Sequence, residues 1–285
     1  MSRLYEALRK VEREKRSPKG AFPDAAQAVE LQAAGAAEPL APENGRAAKI
    51  KAGANSRLVA LQDPRSLGAE KFRSLATRLQ NQRNQRDLKS VQITSSSIGE
   101  GKSLVSANLA LTFSMAYGAK VLLVEGDLHR PSLAPLLGLP EVTGIAQWWE
   151  GPDDDLEQSI YRLDELPLWF LSAGGGSEQP SQILQSARFA KAFIGLSAAF
   201  DWIIVDSTPM TPTVDSNLWS RLVDGTLLVV REGVASVKAL KKGLQALDNP
   251  KMVGIVLNEA SEFDQTNYED QYYALRPPKK GPEPQ

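Results

Sequence analysis

Short, almost unbroken apolar runs alternate with longer amphipathic stretches through the middle of this chain. The runs fall at 91–94, 120–124 (KVLLV), 168–172 (LWFLS), 202–206 (WIIVD), 225–230 (GTLLVV) and 252–257 (MVGIVL). Their length and aliphatic content read as strands. Between them, 102–117, 131–137, 180–199, 214–221 and 236–248 read as helices. Segment 66–85 adds another, with Leu67, Phe72, Leu75 and Leu79 at helical spacing. Strands apolar on both sides and separated by helices predict an α/β fold, a mostly parallel sheet with helices on both faces. Ligands of such sheets bind at the carboxyl ends of the strands.

The pattern changes at both ends. Over residues 2–16, Leu4, Tyr5, Leu8 and Val11 share one side of a helical plot, and Arg3, Arg9, Lys10, Arg13 and Lys15 take the other. That pattern suits an amphipathic helix that docks on a partner or an anionic membrane surface, or else a frayed, solvated tail. Residues 17–56 are rich in Ala, Pro, Gly and Glu without a sustained apolar period, the composition of a disordered linker. Order is expected to resume near Leu58. The chain therefore divides into an N-terminal helix (1–16), a linker (17–56), a folded domain (57–262) and a mobile tail (263–285).

Composition narrows the classes of function. With 33 Lys and Arg against 34 Asp and Glu, the formal charge is −1, and no nucleic-acid partner is expected. There are no cysteines, which excludes disulfides and thiol catalysis and fits a reducing cytosol. His129 is the only histidine, so a multi-histidine metal site is excluded. No apolar run approaches the ~20 residues of a membrane-spanning helix. The first residues also lack the apolar core of a secretion signal, so a cytoplasmic location is expected.

Candidate chemistry begins at Ser95-Ser96-Ser97-Ile98-Gly99-Glu100-Gly101-Lys102-Ser103, between a strand and a helix. Strand, glycine-bearing loop, Lys-Ser and helix form the context of a phosphate-binding loop, although Ser96 stands where the common pattern has its first Gly. Backbone N–H groups of Ser97 to Leu104 would converge on phosphate oxygens at a helix N-terminus. Lys102 would reach the β/γ-phosphates, and the Ser103 hydroxyl would hold Mg²⁺. Two acidic strand ends complete the set. Asp206 closes WIIVD and suits a second Mg²⁺ contact; Glu125 and Asp127 close VLLVEGD. In extended chain residues 125 and 127 point the same way, toward the metal or toward an incoming hydroxyl, with helix capping as the other role for one of them.

These residues resemble a family. The loop Thr94 to Ser103 is similar to that of the bacterial tyrosine kinases of capsule and exopolysaccharide export, which are P-loop NTPases. The family's second motif, Asp-x-Asp-x-Arg, is matched imperfectly by Glu125-Gly126-Asp127-Leu128-His129, with Glu125 for the first Asp, His129 for the Arg, and Arg130 and Pro131 following. Its Walker B motif is met by Ile203 to Pro209, and smaller echoes occur at Leu137-Gly138-Leu139-Pro140, from Gly174 to Leu184 and at Gly254 to Asn258. The resemblance implies ATP and Mg²⁺ as cofactors, with Lys102, Glu125, Asp127 and Asp206 as catalytic residues. It further implies Ser103, Asp127 and Asp206 at the metal and Asn258 facing the adenine. Tyr268, Tyr272 and Tyr273 would be autophosphorylated in trans, and Glu70 and Arg73 would mediate ring-like assembly. The last motif is incomplete, because Ala76 replaces its second arginine; Arg78 stands close by.

The implied partner is the cytoplasmic segment of a membrane polysaccharide co-polymerase, which would bring the protein to the inner face of the plasma membrane. The substitutions at 76, 125 and 129 leave open an ATP-binding scaffold of the same export machinery. A partition or cell-division ATPase shares the fold, but those proteins usually carry an extra Lys where this chain has Ser97.

Overall fold

The computed structural model describes residues 46–51, 53, 56–152, 155–163, 166–211, 214–247 and 251–259. The expected N-terminal helix, the linker as far as residue 45 and the tail with Tyr268, Tyr272 and Tyr273 lie outside the described residues.

Eight strands form one sheet: β1 (Arg46–Ala48), β2 (Ser90–Ser95), β3 (Val121–Glu125), β4 (Ile160–Leu163), β5 (Leu168–Leu171), β6 (Trp202–Asp206), β7 (Gly225–Arg231) and β8 (Met252–Asn258). Their order across the sheet is β1-β4-β5-β3-β6-β2-β7-β8. From β5 to β8 every pairing is parallel; β4 runs antiparallel to β5, and β1 runs parallel to β4. The P-loop α/β fold read from the sequence is therefore present, with an antiparallel pair added at one edge.

The helices are α1 (Val59–Gln62), α2 (Leu67–Arg83), α3 (Lys102–Tyr117), α4 (Leu133–Leu136), α5 (Ile145–Glu150), α6 (Pro180–Gln185), α7 (Ala187–Ala199), α8 (Asp215–Leu222) and α9 (Val237–Ala246). Alternate strand residues face opposite layers, which explains the unbroken apolar runs. Val121, Leu123 and Ile204 pack with Leu79 of α2 and Leu109 and Phe113 of α3. Leu122, Val124 and Val205 pack with Trp148 of α5, Phe189 and Phe193 of α7 and Trp219 of α8. Leu228 and Val230 of β7 pack with Leu240 and Leu244 of α9.

Two expectations need correcting. The linker expected to run to residue 56 is interrupted, because Arg46–Ala48 already form a strand in register with Tyr161–Leu163 of β4. A three-residue edge strand carries too few side chains for an apolar period to mark it. The helix expected over 180–199 is two helices, because Ser186 takes an extended conformation (ψ 140°) and its hydroxyl accepts from the Phe189 N–H as an N-cap.

Candidate nucleotide site

Register builds the site. Ile93 of β2 lies opposite Asp206 of β6, and Asp206 lies opposite Glu125 of β3. Three adjacent parallel strands thus end together, with β6 between β3 and β2, and the loop after β2 leads into α3.

Two glycines in that loop take left-handed backbone, Gly99 at φ 83° and Gly101 at φ 93°. An L side chain costs about 1–2 kcal/mol there. Gly101 is also the N-cap of α3, with the Val105 N–H bonded to its carbonyl. Ser96 does more than fill the place of the usual glycine. Its hydroxyl donates to the carboxylate of Glu100 at 3.0 Å, and the Ser97 N–H donates to the same carboxylate at 2.7 Å. Glu100 is fully buried, so the loop is braced by its own acidic side chain. Ile98 points outward at 66% exposure, and Leu104, in the first turn of α3, packs against the core.

The cationic and anionic groups meet as expected. Lys102 Nζ lies 3.3 Å from Asp127 Oδ2, with both side chains largely buried. The other Asp127 oxygen accepts from the Arg130 N–H at 3.0 Å. Ser103 Oγ accepts from the Ser132 hydroxyl at 2.9 Å. Asp206 is fully buried; Oδ1 accepts a long bond from Ser106 (3.3 Å), while Oδ2 has no hydrogen-bond partner among the described residues. Burial pushes its pKa from 3.8 up to about 6, against the pull of Lys102 and the Ser103 hydroxyl; the charges of Asp127 and Glu125 add to the rise. An unpartnered, desolvated carboxylate oxygen beside a Lys-Ser pair is what a cation site requires.

Glu125 departs from expectation. It lies at the same strand ends, yet its oxygens are bonded to groups other than Lys102. Oε1 accepts from the N–H groups of Leu133 (2.6 Å) and Ala134 (3.3 Å), and Oε2 accepts from the Ser172 hydroxyl (3.1 Å) and the Ala173 N–H (3.2 Å). Four donors surround the carboxylate, which caps α4 and fixes the chain after β5. The extended geometry that would aim residues 125 and 127 together stops at Glu125, the last residue of β3.

Asn258, at the end of β8, donates through Nδ2 to the Glu100 carbonyl at 2.9 Å and so joins the loop. Beside it, Glu259 pairs with both Arg57 (3.2 Å) and Arg231, and Arg231 also donates to the Gly99 carbonyl (3.3 Å). Glu70 and Arg73 pair with each other along α2 at 2.5 Å, while Ala76 is completely buried in the core. Sequence reasoning missed the Ser96–Glu100 brace, Ser132 and Asp215; only their positions near the motifs hint at them.

Fold and site together define a P-loop NTPase. No protein-family profile matches the chain, but individual relatives do. It is 30% identical over 203 residues to the tyrosine-protein kinase YwqD of Bacillus subtilis, covering 70% of this chain and 85% of that one. It is 31% identical over 227 residues to the succinoglycan biosynthesis transport protein ExoP of Rhizobium meliloti, covering 75% of this chain and 28% of ExoP. Among solved structures, the chimerical protein CapA2B2 superposes with a TM-score of 0.65 at 27% identity, covering 75% of this chain and 94% of that chain. The chain belongs to the bacterial tyrosine-protein kinase family.

Proposed function

We propose that this protein is an ATP-dependent protein-tyrosine autokinase that regulates the polymerisation and export of an exopolysaccharide or capsule. The observation that carries it is the arrangement of Lys102, Ser103, Asp127 and the unpartnered oxygen of Asp206 at three strand ends. Loop N–H groups and Lys102 would hold the phosphates and oppose the charge that develops on the transferring group. Ser103, Asp127 and Asp206 are the residues that would hold Mg²⁺, which when bound neutralises phosphate charge. Among the described residues no three His, Cys, Asp or Glu side chains form a metal cage. Few protein ligands suit Mg²⁺, which takes one or two carboxylates together with substrate phosphates. Asp127, freed from Lys102 when the lysine turns to phosphate, is the group left to orient or deprotonate an acceptor hydroxyl. Tyr268, Tyr272 and Tyr273, beside Glu269 and Asp270, are the proposed acceptors.

Two of the substitutions that would favour a scaffold are accommodated by the local packing. Glu125 is bonded outside the phosphate site, and Ala76 is a core residue. The proposed partner is the cytoplasmic segment of a membrane polysaccharide co-polymerase. ExoP, a named transport protein, is matched over 28% of its length, and no described helix here is long and apolar enough to cross a membrane. Incubation of the purified protein with Mg-ATP, followed by a phosphotyrosine blot, tests the reading. A signal that vanishes in Lys102→Met is expected; its absence from the wild type, even with the partner's segment added, would remove it.

A further inference from the structure

Asp127 is bracketed by a helix that carries none of the recognised motifs. On one side, Trp219 Nε1 of α8 donates to the Gly126 carbonyl at 3.0 Å. On the other, Asp215 Oδ2, at the start of α8, lies 2.8 Å from His129 Nε2. Residues 215 and 219 are one turn apart, so one face of α8 grips the chain on both sides of Asp127. The fit at Gly126 is close: a Cβ there would lie 2.7 Å from Val205 and 2.9 Å from the Trp219 ring.

The helix is itself fixed. Ser216 shares a hydrogen bond with Thr94 (2.9 Å), the β2 residue that leads into the phosphate loop. Trp219 packs edge-on against Phe189 and Phe193, with centroids at 5.6 and 5.5 Å. The other Asp215 oxygen accepts from the Ser181 hydroxyl at 2.9 Å. Asp215 is 1% exposed, and burial of a carboxylate is expensive unless it is paired. Nothing in phosphate binding uses it. Oδ2 has no aligned hydrogen bond among the described residues, so its contact with His129 is one of close approach between the two polar groups.

We propose that Asp215 is a positioning residue for phosphoryl transfer. Through His129 it fixes the 126–130 loop, and so the place of Asp127 and its partner Lys102. His129 then takes over, for this purpose, the place held by an arginine in the Asp-x-Asp-x-Arg motif. The inference rests on the kinase reading for its rate arm only.

The test uses the full chain and two readouts. In autophosphorylation, Asp215→Ala and Asp215→Asn are expected to lower kcat by about tenfold to a hundredfold, with KM for ATP within about threefold. His129→Ala should cause the same loss, and the double variant should be no slower than either single one, because the two side chains act as a unit. His129→Arg, which offers Asp215 a cationic donor, should lose less than threefold, and only while Asp215 is present. The second readout is the gain in affinity for a fluorescent ADP analogue on adding Mg²⁺, which should shrink in both Asp215 variants. It decides the proposal even if the wild type forms no phosphotyrosine, the outcome that would sink the kinase reading alone. Losses that add in the double variant, or that Ser181→Ala reproduces in full, would show that Asp215 only supports the fold. Wild-type kcat and Mg²⁺ response in Asp215→Asn, which keeps the side-chain shape should the alanine variant not fold, would also overturn it.

Discussion

The Asn258 amide sits where a side chain on residue 101 would begin: a Cβ built on Gly101 lies 2.2 Å from Asn258 Nδ2. The end of β8 and the phosphate loop are therefore fitted to each other. Gly101→Ala meets both a left-handed φ of 93° and this contact, and displacing Asn258 gives up its bond to the Glu100 carbonyl. Gly99→Ala meets only the backbone strain, since nothing lies within 4 Å. Urea unfolding should find Gly101→Ala the less stable by about 1 kcal/mol. In an Asn258→Ala background that difference should disappear.

The Ser96–Glu100 brace is expected to set nucleotide affinity through loop shape. Glu100→Ala releases the Ser97 N–H and the Ser96 hydroxyl together and should weaken ADP binding about tenfold by calorimetry, about 1.4 kcal/mol. Ser96→Gly restores the common pattern and removes one hydroxyl while the Ser97 bond remains. Its loss should stay below about threefold.

Glu125 is expected to behave as a structural residue. Glu125→Gln places an amide donor among four donors and should cost about 3 kcal/mol, or roughly 6–12 °C in Tm for a domain of this size. Glu125→Asp, one methylene short, should also be destabilised. Below its own Tm, each variant should transfer phosphate at a rate per folded molecule close to wild type. A hundredfold loss with an unchanged Tm would return Glu125 to the catalytic set.

Asp206 should make the nucleotide-free, Mg²⁺-free protein less stable as pH rises. Its folded pKa, raised from 3.8 to about 6, means that the fold favours the protonated form. The stability this supplies is complete below about pH 3.8, declines as pH rises to about 6, and is absent above. Asp206→Asn has no such window and should exceed wild type by roughly 3 kcal/mol at pH 7.5, with a much smaller margin at pH 4.5. Urea midpoints at the two pH values measure it. The same variant should lose the Mg²⁺-dependent part of nucleotide binding.

Five of the six legible strands are buried on both sides and so mostly apolar, β8 is apolar although Ile255 and Leu257 are exposed, and the phosphate loop was legible because Gly-Lys-Ser after a strand is a local pattern. What local pattern cannot carry is which way a side chain leaves a strand end. Glu125 and Asp127 look alike in sequence, yet one faces α4 and the other Lys102, because β3 stops between them. Short or exposed elements were missed for a related reason: Ile160–Leu163 has an exposed Arg162 and only four residues. The break at Ser186 was readable as an N-cap, but the apolar period runs through it. Asp215 belongs to no local pattern; its partners lie 86 and 34 residues away in sequence, at His129 and Ser181.

The last described strand has a consequence for how phosphate could reach tyrosine. β8 ends at Asn258, whose side chain is bonded to the phosphate loop, and Glu259 is the last described residue. Tyr268 follows nine residues later, a contour of at most about 30 Å. Reach alone thus permits a molecule to modify itself as readily as its neighbour, and reaction order distinguishes the two. A specific initial rate independent of protein concentration marks a reaction within one chain, and a rate that falls in proportion on dilution marks transfer between chains.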